Sequence, residues 1–349
     1  MAERDDPSGV ERLRGALARQ VDRLPGALRV AVSGRRPARA DGAALDPTLQ
    51  LAVALRPRAD RPRDTVEHPA RSRARFRREV LSTVGTPTPV AEVRDLAVGG
   101  AAGPLAARLY RPGHPPGVPL VVYYHGGGYV EGDLDTADEG CRILAVTSGH
   151  AVLSVAYRLA PEHPFPAGVE DAVAAFRWAQ AAAAELEVGA VTVGGDSAGA
   201  ALAAVVAQQT RGDAPPAAQL LLYPPADTAT SYPSQRLFDG YLLPEAQRAA
   251  YHHAYTAGTG ADDRDPRISP LYGRLGGLAP ALVVTAGFDV LRDEVDAYAQ
   301  ALDAAGTRTV ARRYPSLAHG FVTVVGLSRA SRAALVDVAR QWAALVASL

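Results

Sequence analysis

The residues of this sequence best suited to do chemistry lie around Ser197, in the stretch Gly195-Asp-Ser-Ala-Gly199. An apolar, β-branched run at 190–193 precedes this stretch and an alanine-rich run at 200–207 follows it, so the pattern is strand, tight turn and helix. Such a Gly-x-Ser-x-Gly turn presents the serine hydroxyl above the end of a sheet in a strained conformation. The N–H of Ala198, at the start of the helix, would face an oxyanion. The motif predicts a nucleophilic serine, although a glycine-rich turn also serves other α/β proteins.

A serine hydroxyl becomes a nucleophile at neutral pH only when an oriented base accepts its proton. The chain offers an acid and then a histidine: Asp289 follows an apolar strand pattern at 281–286, and His319 follows a strand pattern that ends at Tyr314. Both residues are expected at the carboxyl ends of parallel strands, where ligands bind. Alone, Asp289 fits a helix N-cap and His319 a turn residue. Their order after two strands instead predicts that both act with Ser197.

Further oxyanion donors are predicted after the strand pattern that ends at Tyr124, in His125-Gly-Gly-Gly-Tyr129. Consecutive glycines allow backbone N–H groups to approach a bound carbonyl closely, so Gly126 and Gly127 are assigned as donors beside Ala198. A phosphate-binding loop is the competing interpretation. It is disfavoured because no Gly-Lys-Ser/Thr follows and the chain contains no lysine.

The elements that must position these residues alternate along the chain. Continuous apolar runs are typical of strands buried on both faces, and here they lie at 119–124, 151–156, 190–193, 219–223 and 281–286, with a further strand at 307–314. Helical patterns lie at 139–148, 168–187, 198–210, 291–305 and 328–348. An antiparallel hairpin is expected before them, at 91–98 and 105–110. The alternation predicts an α/β fold with a mostly parallel sheet covered by helices on both faces.

Composition narrows the class of protein. Hydrophobic residues make up 48% of the 349 residues and charged residues 21%, as in globular proteins. The formal net charge is zero, so nothing favours nucleic acid or an anionic membrane as a partner. The single cysteine, Cys141, excludes an internal disulfide and fits a reducing compartment. With no leader pattern and no apolar run of the ~20 residues that a span needs, we expect a soluble, cytoplasmic protein.

The N-terminal third departs from the alternation. Residues 1–44 have few apolar side chains, and we interpret them as a mobile or loosely docked extension with one helix at 10–24. Residues 45–90 are expected to form cap helices and residues 91–349 the core. Arginines cluster in a helix predicted at 67–84, where we expect a solvated helix face rather than a nucleic-acid patch; they are Arg71, Arg73, Arg75, Arg77 and Arg78.

A long interruption between residues 223 and 281 is typical of a lid or binding element. It contains a helical pattern at 244–257. Four residues of this pattern are candidates for a pocket lining, with packing between cap helices as the alternative: Tyr251, His252, His253 and Tyr255.

Several separate motifs now occur in one order: His125-Gly-Gly-Gly128, Tyr157-Arg-Leu-Ala-Pro-Glu162, Gly195-Asp-Ser-Ala-Gly199, Phe288-Asp-Val-Leu-Arg-Asp-Glu294 and His319-Gly-Phe321. Together they resemble the hormone-sensitive-lipase-like esterases over roughly residues 45–349. The resemblance implies an α/β-hydrolase core, and a helical cap built from the N-terminal segment and an insertion at about 228–260. Val290 and Val295 depart from the usual proline and glycine of that family, and residues 1–44 match nothing in it.

The resemblance also assigns roles. Ser197 is the nucleophile, His319 the base and Asp289 the acid, while Gly126, Gly127 and Ala198 supply the oxyanion donors. His125 is expected to shape its loop, and three acids to support turns: Glu162, Asp196 and Asp293. The predicted pocket lining is Gly128, Tyr129, Tyr255 and Phe321.

The predicted activity is hydrolysis of carboxylic esters of small to medium acyl groups through an acyl-enzyme, with no metal or cofactor and with a small-molecule ester as partner. An amidase or an acyl transferase would use the same three residues. A non-catalytic ligand-binding protein on the same fold is the alternative of a different class, and loss of one of the three residues would indicate it. The apolar face of the closing helix leaves packing on the sheet and a homodimer contact both open.

Overall fold

A large sheet forms the centre of the protein. A computed structural model describes residues 6–55, 61–113 and 116–349. Within these residues the strands are β1 (Arg39–Ala40), β2 (Ala43–Ala44), β3 (Glu92–Gly100), β4 (Gly103–Arg111), β5 (Leu120–Tyr124), β6 (Ala151–Val155), β7 (Val191–Asp196), β8 (Gln219–Leu222), β9 (Ala281–Phe288) and β10 (Thr309–Ala318). β1 and β2 form a separate hairpin, and the other strands form one sheet in the order β10-β9-β8-β7-β5-β6-β4-β3.

The sheet is parallel from β6 to β10, and only the β3–β4 hairpin beyond β6 is antiparallel. Every residue of β5 to β9 is buried, as the continuous apolar runs require when helices cover both faces. The predicted α/β fold with a mostly parallel sheet is confirmed. β10 is an exposed edge strand for most of its length and extends past the predicted end at residue 314, so that His319 follows it directly.

The helices of the described residues fill the connections between these strands. They are α1 (Gly9–Val21), α2 (Gly26–Val32), α3 (Pro47–Leu55), α4 (Arg61–Glu67), α5 (Pro69–Thr83), α6 (Asp138–Ser148), α7 (Ala167–Ala181), α8 (Ala198–Gln209), α9 (Pro233–Leu237), α10 (Glu245–Thr256), α11 (Arg292–Ala304) and α12 (Arg329–Ala347). α7 packs against α8, and α6 packs against α12. These pairs, with α11 along β9 and β10, enclose the sheet.

The closing helix α12 packs into the core. Six apolar side chains at helical spacing are all buried there: Ala334, Leu335, Val338, Trp342, Leu345 and Val346. They lie against α6 and the β9–β10 end of the sheet. Of the two interpretations of this face, the structure therefore has packing within the chain, and the homodimer stays a prediction.

The N-terminal residues form two helices fixed to the rest of the protein, where the sequence predicts a mobile or loosely docked extension. Asp22 is only 3% exposed. It accepts hydrogen bonds from Arg29 (2.7 Å) and Arg329 (2.8 Å), and a further one from Thr48. These are contacts between charged and polar groups, which a low apolar density does not indicate. The mobility of the extension stays a prediction.

The arginines of α5 are paired, and the expectation of a solvated helix face is wrong for three of them: Arg73, Arg75 and Arg77. Arg73 donates to both carboxylate oxygens of Glu162 (2.8 and 2.5 Å). Arg77 donates to Asp133 (2.6 Å) and Asp135 (2.5 Å). These carboxylates lie 56 to 89 residues away along the chain, so a local reading of charge does not find them.

The two cap segments meet above the sheet. α10 from the later insertion packs against α4 from the N-terminal part, and both lie on the side of the molecule that carries Ser197. The division into an extension, a cap and a core stays a prediction. No helix of the described residues is both long and apolar enough to cross a membrane.

Replacing Asp22 by alanine tests the docking of the N-terminal helices. Asp22→Ala is expected to lower the free energy of unfolding by about 3 kcal/mol, because Arg29 and Thr48 would stay buried without their acceptor. Chemical denaturation measures this loss, and limited proteolysis should show faster cleavage within residues 22–40. The matched control is Asp213→Ala, whose partner Arg177 and own side chain are 49% and 60% exposed. Equal losses in the two variants would contradict the proposed anchor.

Gly199 tests the crossing of α8 over the end of β5. A Cβ there would lie 1.9 Å from the carbonyl oxygen of Tyr124. The clash is with backbone, which cannot rotate away as a flexible side chain could. Gly199→Ala is expected to lower the free energy of unfolding by about 3 kcal/mol or more, measured by chemical denaturation. A Cβ at Gly212 would meet nothing within 4 Å, so Gly212→Ala should be neutral. A neutral Gly199→Ala would refute this close approach.

Candidate active site

Ser197 lies in the tight turn between β7 and α8. Its backbone has φ +51° and ψ −123°, a strained conformation that costs about 1–3 kcal/mol and is typical of functional sites. The flanking glycines serve a different purpose, because a Cβ at Gly195 would lie 2.5 Å from Gly199 and one at Gly199 would strike Tyr124. The strain predicted from the motif is therefore in the serine itself, and the glycines allow helix, turn and strand to pack closely.

Three side chains from three loops lie in one hydrogen-bonded row. Ser197 Oγ is 2.9 Å from His319 Nε2, and His319 Nδ1 is 2.8 Å from Asp289 Oδ2. Asp289 is fully buried and His319 is 7% exposed. The other carboxylate oxygen of Asp289 accepts the N–H of Leu291 (2.9 Å), which fixes the orientation of the carboxylate. The structure thus brings together the three residues that the sequence singled out, in the order that a serine nucleophile needs.

Tyr223, which sequence reasoning missed, holds the imidazole from the side. It follows β8 with φ +42°, and its ring contacts the His319 ring edge-on at 4.9 Å between centroids. Phe321 packs on the same tyrosine at 5.2 Å and is fully buried. The only signal for Tyr223 in the sequence is its place at the end of a buried strand. Phe321 is not among the residues that line the cleft, which differs from its prediction as a pocket residue.

Asp196 ties the glycine loop to the serine turn. It is 4% exposed, and its Oδ1 accepts the Tyr123 hydroxyl and the Gly126 N–H, each at 2.9 Å. Burial raises the pKa of Asp196, although both hydrogen bonds oppose the rise. The Gly126 N–H is therefore already bound to Asp196. This differs from the prediction that Gly126 donates to an oxyanion. Asp196 fits its predicted role as a support of the turn.

His125 shapes the same loop, as predicted. Its Nδ1 is 2.8 Å from the carbonyl oxygen of Gly126, and its ring stacks on Tyr157 at 4.6 Å. Burial lowers the pKa of His125, which favours the neutral imidazole. Since the ring is enclosed by its own loop and by Tyr157, it has no path to act as a base on a bound molecule.

Three backbone N–H groups of the glycine loop and the serine turn have no hydrogen-bond partner within the described residues: those of Gly127, Gly128 and Ala198. Gly127 has φ +122° and Gly128 has φ +60°, which glycine adopts at no steric cost. Gly128 and Ala198 both line the cleft over the serine. This arrangement can stabilise negative charge that develops on an oxygen next to Ser197 Oγ.

A narrow cleft opens above Ser197 between the core and the cap. The space open to the centre of a water-sized molecule is about 50 Å³, where a single water needs roughly 10–15 Å³ of such space. The walls are mostly apolar, and the lining residues besides Ser197 are Gly128, Tyr129, Ala198, Pro225, Thr228, Leu243, Arg248, Tyr251, His252, Tyr255, Ile268 and Leu291. Of the cap candidates, Tyr251, His252 and Tyr255 therefore reach the cleft and His253 does not.

Aromatic rings form one wall of the cleft. The rings of Tyr129 and Tyr255 stack at 3.9 Å with a 9° angle between their planes, and Phe165 meets Tyr255 edge-on at 5.7 Å. Tyr129 itself has φ +64°, so the glycine loop carries a second strained residue beside the serine. Gly128, Tyr129 and Tyr255 all line the cleft, and their contact with a substrate stays a prediction.

Two further polar side chains of α10, Arg248 and His252, also line the cleft. Arg248 donates to both oxygens of Glu245 (2.8 and 2.6 Å), and His252 Nε2 is 2.9 Å from Asp263 Oδ1. Within the described residues, no group of three or more His, Cys, Asp and Glu side chains is arranged to hold a metal ion. The absence of a metal or cofactor from the reaction stays a prediction.

The sequence of this chain matches a protein-family model and several known proteins. A family model described as the alpha/beta hydrolase fold matches residues 121–323. The carboxylic ester hydrolase LipN of Mycobacterium tuberculosis is 44% identical over 305 residues, 84% of this chain and 81% of that protein. An ethyl acetate hydrolase of Pseudomonas putida is 39% identical over 246 residues, 67% of this chain and 76% of that protein.

Solved structures agree with these relatives. An esterase from the archaeon Pyrobaculum calidifontis superposes with a TM-score of 0.79 at 38% identity, and the match covers 87% of this chain and 98% of that one. The glycine loop, the serine turn, Asp289 and His319 all lie within the residues that match the family model. The chain belongs to the α/β-hydrolase family, among its hormone-sensitive-lipase-like esterases.

Proposed function

We propose that the protein hydrolyses carboxylic esters of small to medium acyl groups through an acyl-enzyme on Ser197. Ser197 Oγ attacks the ester carbonyl while His319 Nε2 takes its proton. The tetrahedral intermediate then expels the alcohol, which leaves with that proton, and the acyl group stays on Ser197. A water molecule, deprotonated by His319, attacks the acyl carbonyl and releases the acid, and the proton returns to Ser197.

The observation that carries this proposal is the hydrogen-bonded row from Ser197 through His319 to the buried Asp289. A carboxylate on Nδ1 keeps that nitrogen protonated and leaves Nε2 free to accept the serine proton. The row ends at a strained serine in the wall of an apolar cleft. Water is limited there, so the developing charges are screened less than in bulk solvent.

We assign the oxyanion to the N–H groups of Gly127, Gly128 and Ala198 rather than to Gly126. The first three have no other partner within the described residues, whereas the Gly126 N–H is bound to Asp196. Each such donor typically contributes about 3 kcal/mol to the transition state. The assignment keeps the predicted use of the glycine loop but moves it one residue along the chain.

The size of the cleft favours short acyl groups. The open space is small, and the stacked Tyr129 and Tyr255 close one side of it. We propose that these two rings and Gly128 contact the acyl or alcohol part of the ester. The relative named ethyl acetate hydrolase supports the same size class.

Removing the nucleophile tests the proposal. Ser197→Ala is expected to lower kcat on p-nitrophenyl esters by roughly 10⁴-fold or more, and Asp289→Asn by about 10⁴-fold, because the imidazole would take the wrong tautomer. Initial rates on acetate, butyrate, octanoate and dodecanoate esters measure both losses and the acyl preference. Amides and alcohol acceptors assayed in parallel distinguish an amidase or an acyl transferase.

The control is Ser148→Ala, at the end of α6 and far from Ser197 along the chain, where the hydroxyl donates to the carbonyl of Leu144 (2.7 Å) and accepts the N–H of His150 (3.1 Å). It should keep the wild-type rate. A fluorophosphonate probe should label the wild type and Ser148→Ala but not Ser197→Ala. Equal ester hydrolysis by wild type and Ser197→Ala would overturn the proposal, and a folded wild type without labelling or hydrolysis would favour the ligand-binding alternative.

A further inference from the structure

A buried carboxylate joins the glycine loop to both segments of the cap. Glu131 is 4% exposed, and its own N–H donates to the carbonyl of Gly127 (2.8 Å). One oxygen, Oε1, accepts the hydroxyl of Ser72 from α5. The other, Oε2, accepts the hydroxyl of Tyr251 from α10 at 2.5 Å. These partners are 59 and 120 residues away along the chain, so three separate parts of the sequence meet at one side chain.

Tyr251 covers the loop that Glu131 holds. A Cβ at Gly128 would lie 2.2 Å from a ring carbon of Tyr251, so the ring packs directly on the glycine backbone. Both residues line the cleft with Ser197. The Tyr251 hydroxyl therefore fixes the position of a ring that touches one of the assigned oxyanion donors.

We propose that Glu131 is a positioning residue, which holds Tyr251 over Gly128 and so makes the geometry of the oxyanion donors depend on the docking of the cap. The inference rests on the proposed function, because it concerns the donors of that reaction. Neither Glu131 nor Tyr251 reacts with the ester. Their effect is exerted through the backbone of Gly127 and Gly128.

The physical reason lies in the freedom of the loop. Gly126, Gly127 and Gly128 have no side chains to limit their backbone, and glycine has the largest conformational freedom of any residue. Oxyanion donors stabilise a transition state only if they are already in place, since reorganisation during the reaction would consume the gain. Further contacts must therefore restrict it: the N–H of Glu131 binds the carbonyl of Gly127, and the ring of Tyr251 packs on Gly128.

The same carboxylate opposes release of the cap. A buried polar group that loses its partners carries a free-energy cost, so withdrawing α5 or α10 from Glu131 is unfavourable. Around this point Gln247 donates to Thr65 (2.8 Å), which links α10 to α4. The hydroxyls of Thr65 and Ser72 lie 3.3 Å apart, which links α4 to α5. Burial raises the pKa of Glu131, the charge of Arg75 opposes this rise and that of Glu79 adds to it.

A double-mutant cycle tests the proposal. Tyr251→Phe keeps the ring and removes the hydroxyl, and Glu131→Gln keeps the volume and removes one acceptor. Each is expected to lower kcat on p-nitrophenyl butyrate by roughly 10- to 100-fold, the size of effect that small misplacements cause, with a smaller change in KM. Because both act through one hydrogen bond, the double variant should be no slower than the slower single variant.

Two controls remove equivalent bonds elsewhere. Tyr110→Phe loses a buried hydroxyl that donates to Asp138 (2.9 Å), and Glu139→Gln alters a buried carboxylate bound to Thr88 and Arg332. Thermal unfolding of all variants shows whether stability falls equally. The controls should keep the wild-type kcat. Wild-type kcat in Tyr251→Phe, or losses that add in the double variant, would overturn the proposal.

Hydrogen exchange gives a readout that needs no substrate. Amides of residues 126–132 and of α10 should exchange faster in Tyr251→Phe and Glu131→Gln than in the wild type or the controls. If the wild type fails to hydrolyse any ester, the proposed function fails, and this exchange result still decides whether Glu131 couples cap and loop. Exchange unchanged in both variants would refute the coupling.

Discussion

The parallel pairing of β5 with β7 is the constraint on which the rest of the site depends. Tyr124 lies opposite Gly195 in this pairing, so the glycine loop and the serine turn leave the sheet side by side. Asp196 then fixes the two to each other through Tyr123 and Gly126. Because both faces of the sheet are buried and closely packed, a shift of this register by one residue would exchange side chains between the two faces and disrupt the packing on each. The nucleophile and the loop beside it are therefore positioned by the most stable part of the fold.

The cap is attached by a different kind of interaction. All 37 basic residues are arginine, and a planar guanidinium can bind both oxygens of one carboxylate. Arg73 binds both oxygens of Glu162 in this way. Arg77 instead bridges two carboxylates, Asp133 and Asp135, and both arginines fasten α5 to the core. Exposed ion pairs contribute little to stability, whereas partly buried ones cost more to break. The cap thus relies on a few polar contacts where the core relies on apolar area.

This difference explains what the sequence could and could not predict. Strands such as β5 and β9 can be predicted because a buried strand is a continuous apolar run. Asp289 and His319 can be predicted because each comes after a strand pattern. The docking of residues 9–32 through Asp22, and the pairing of Arg73 and Arg77, depend on carboxylates far away in the chain. The predictions for Phe321 as a pocket residue and Gly126 as an oxyanion donor differ from the structure. A motif gives a residue's place in the chain but not the direction of its side chain or N–H.

The glycine loop also shows what a sequence pattern does not predict. Each of its three glycines leaves room for a different close contact. A Cβ would lie 2.5 Å from Asp196 at Gly126, 2.1 Å from the carbonyl of Glu131 at Gly127, and 2.2 Å from Tyr251 at Gly128. The first contact comes from the core, the second from the loop itself and the third from the cap. A side chain at any of these three adjacent glycines would therefore clash with a different part of the structure. The cleft above Ser197 lies where these contacts come together. The loops at the end of the sheet bound it on one side, and α10, about fifty residues beyond the serine, bounds it on the other.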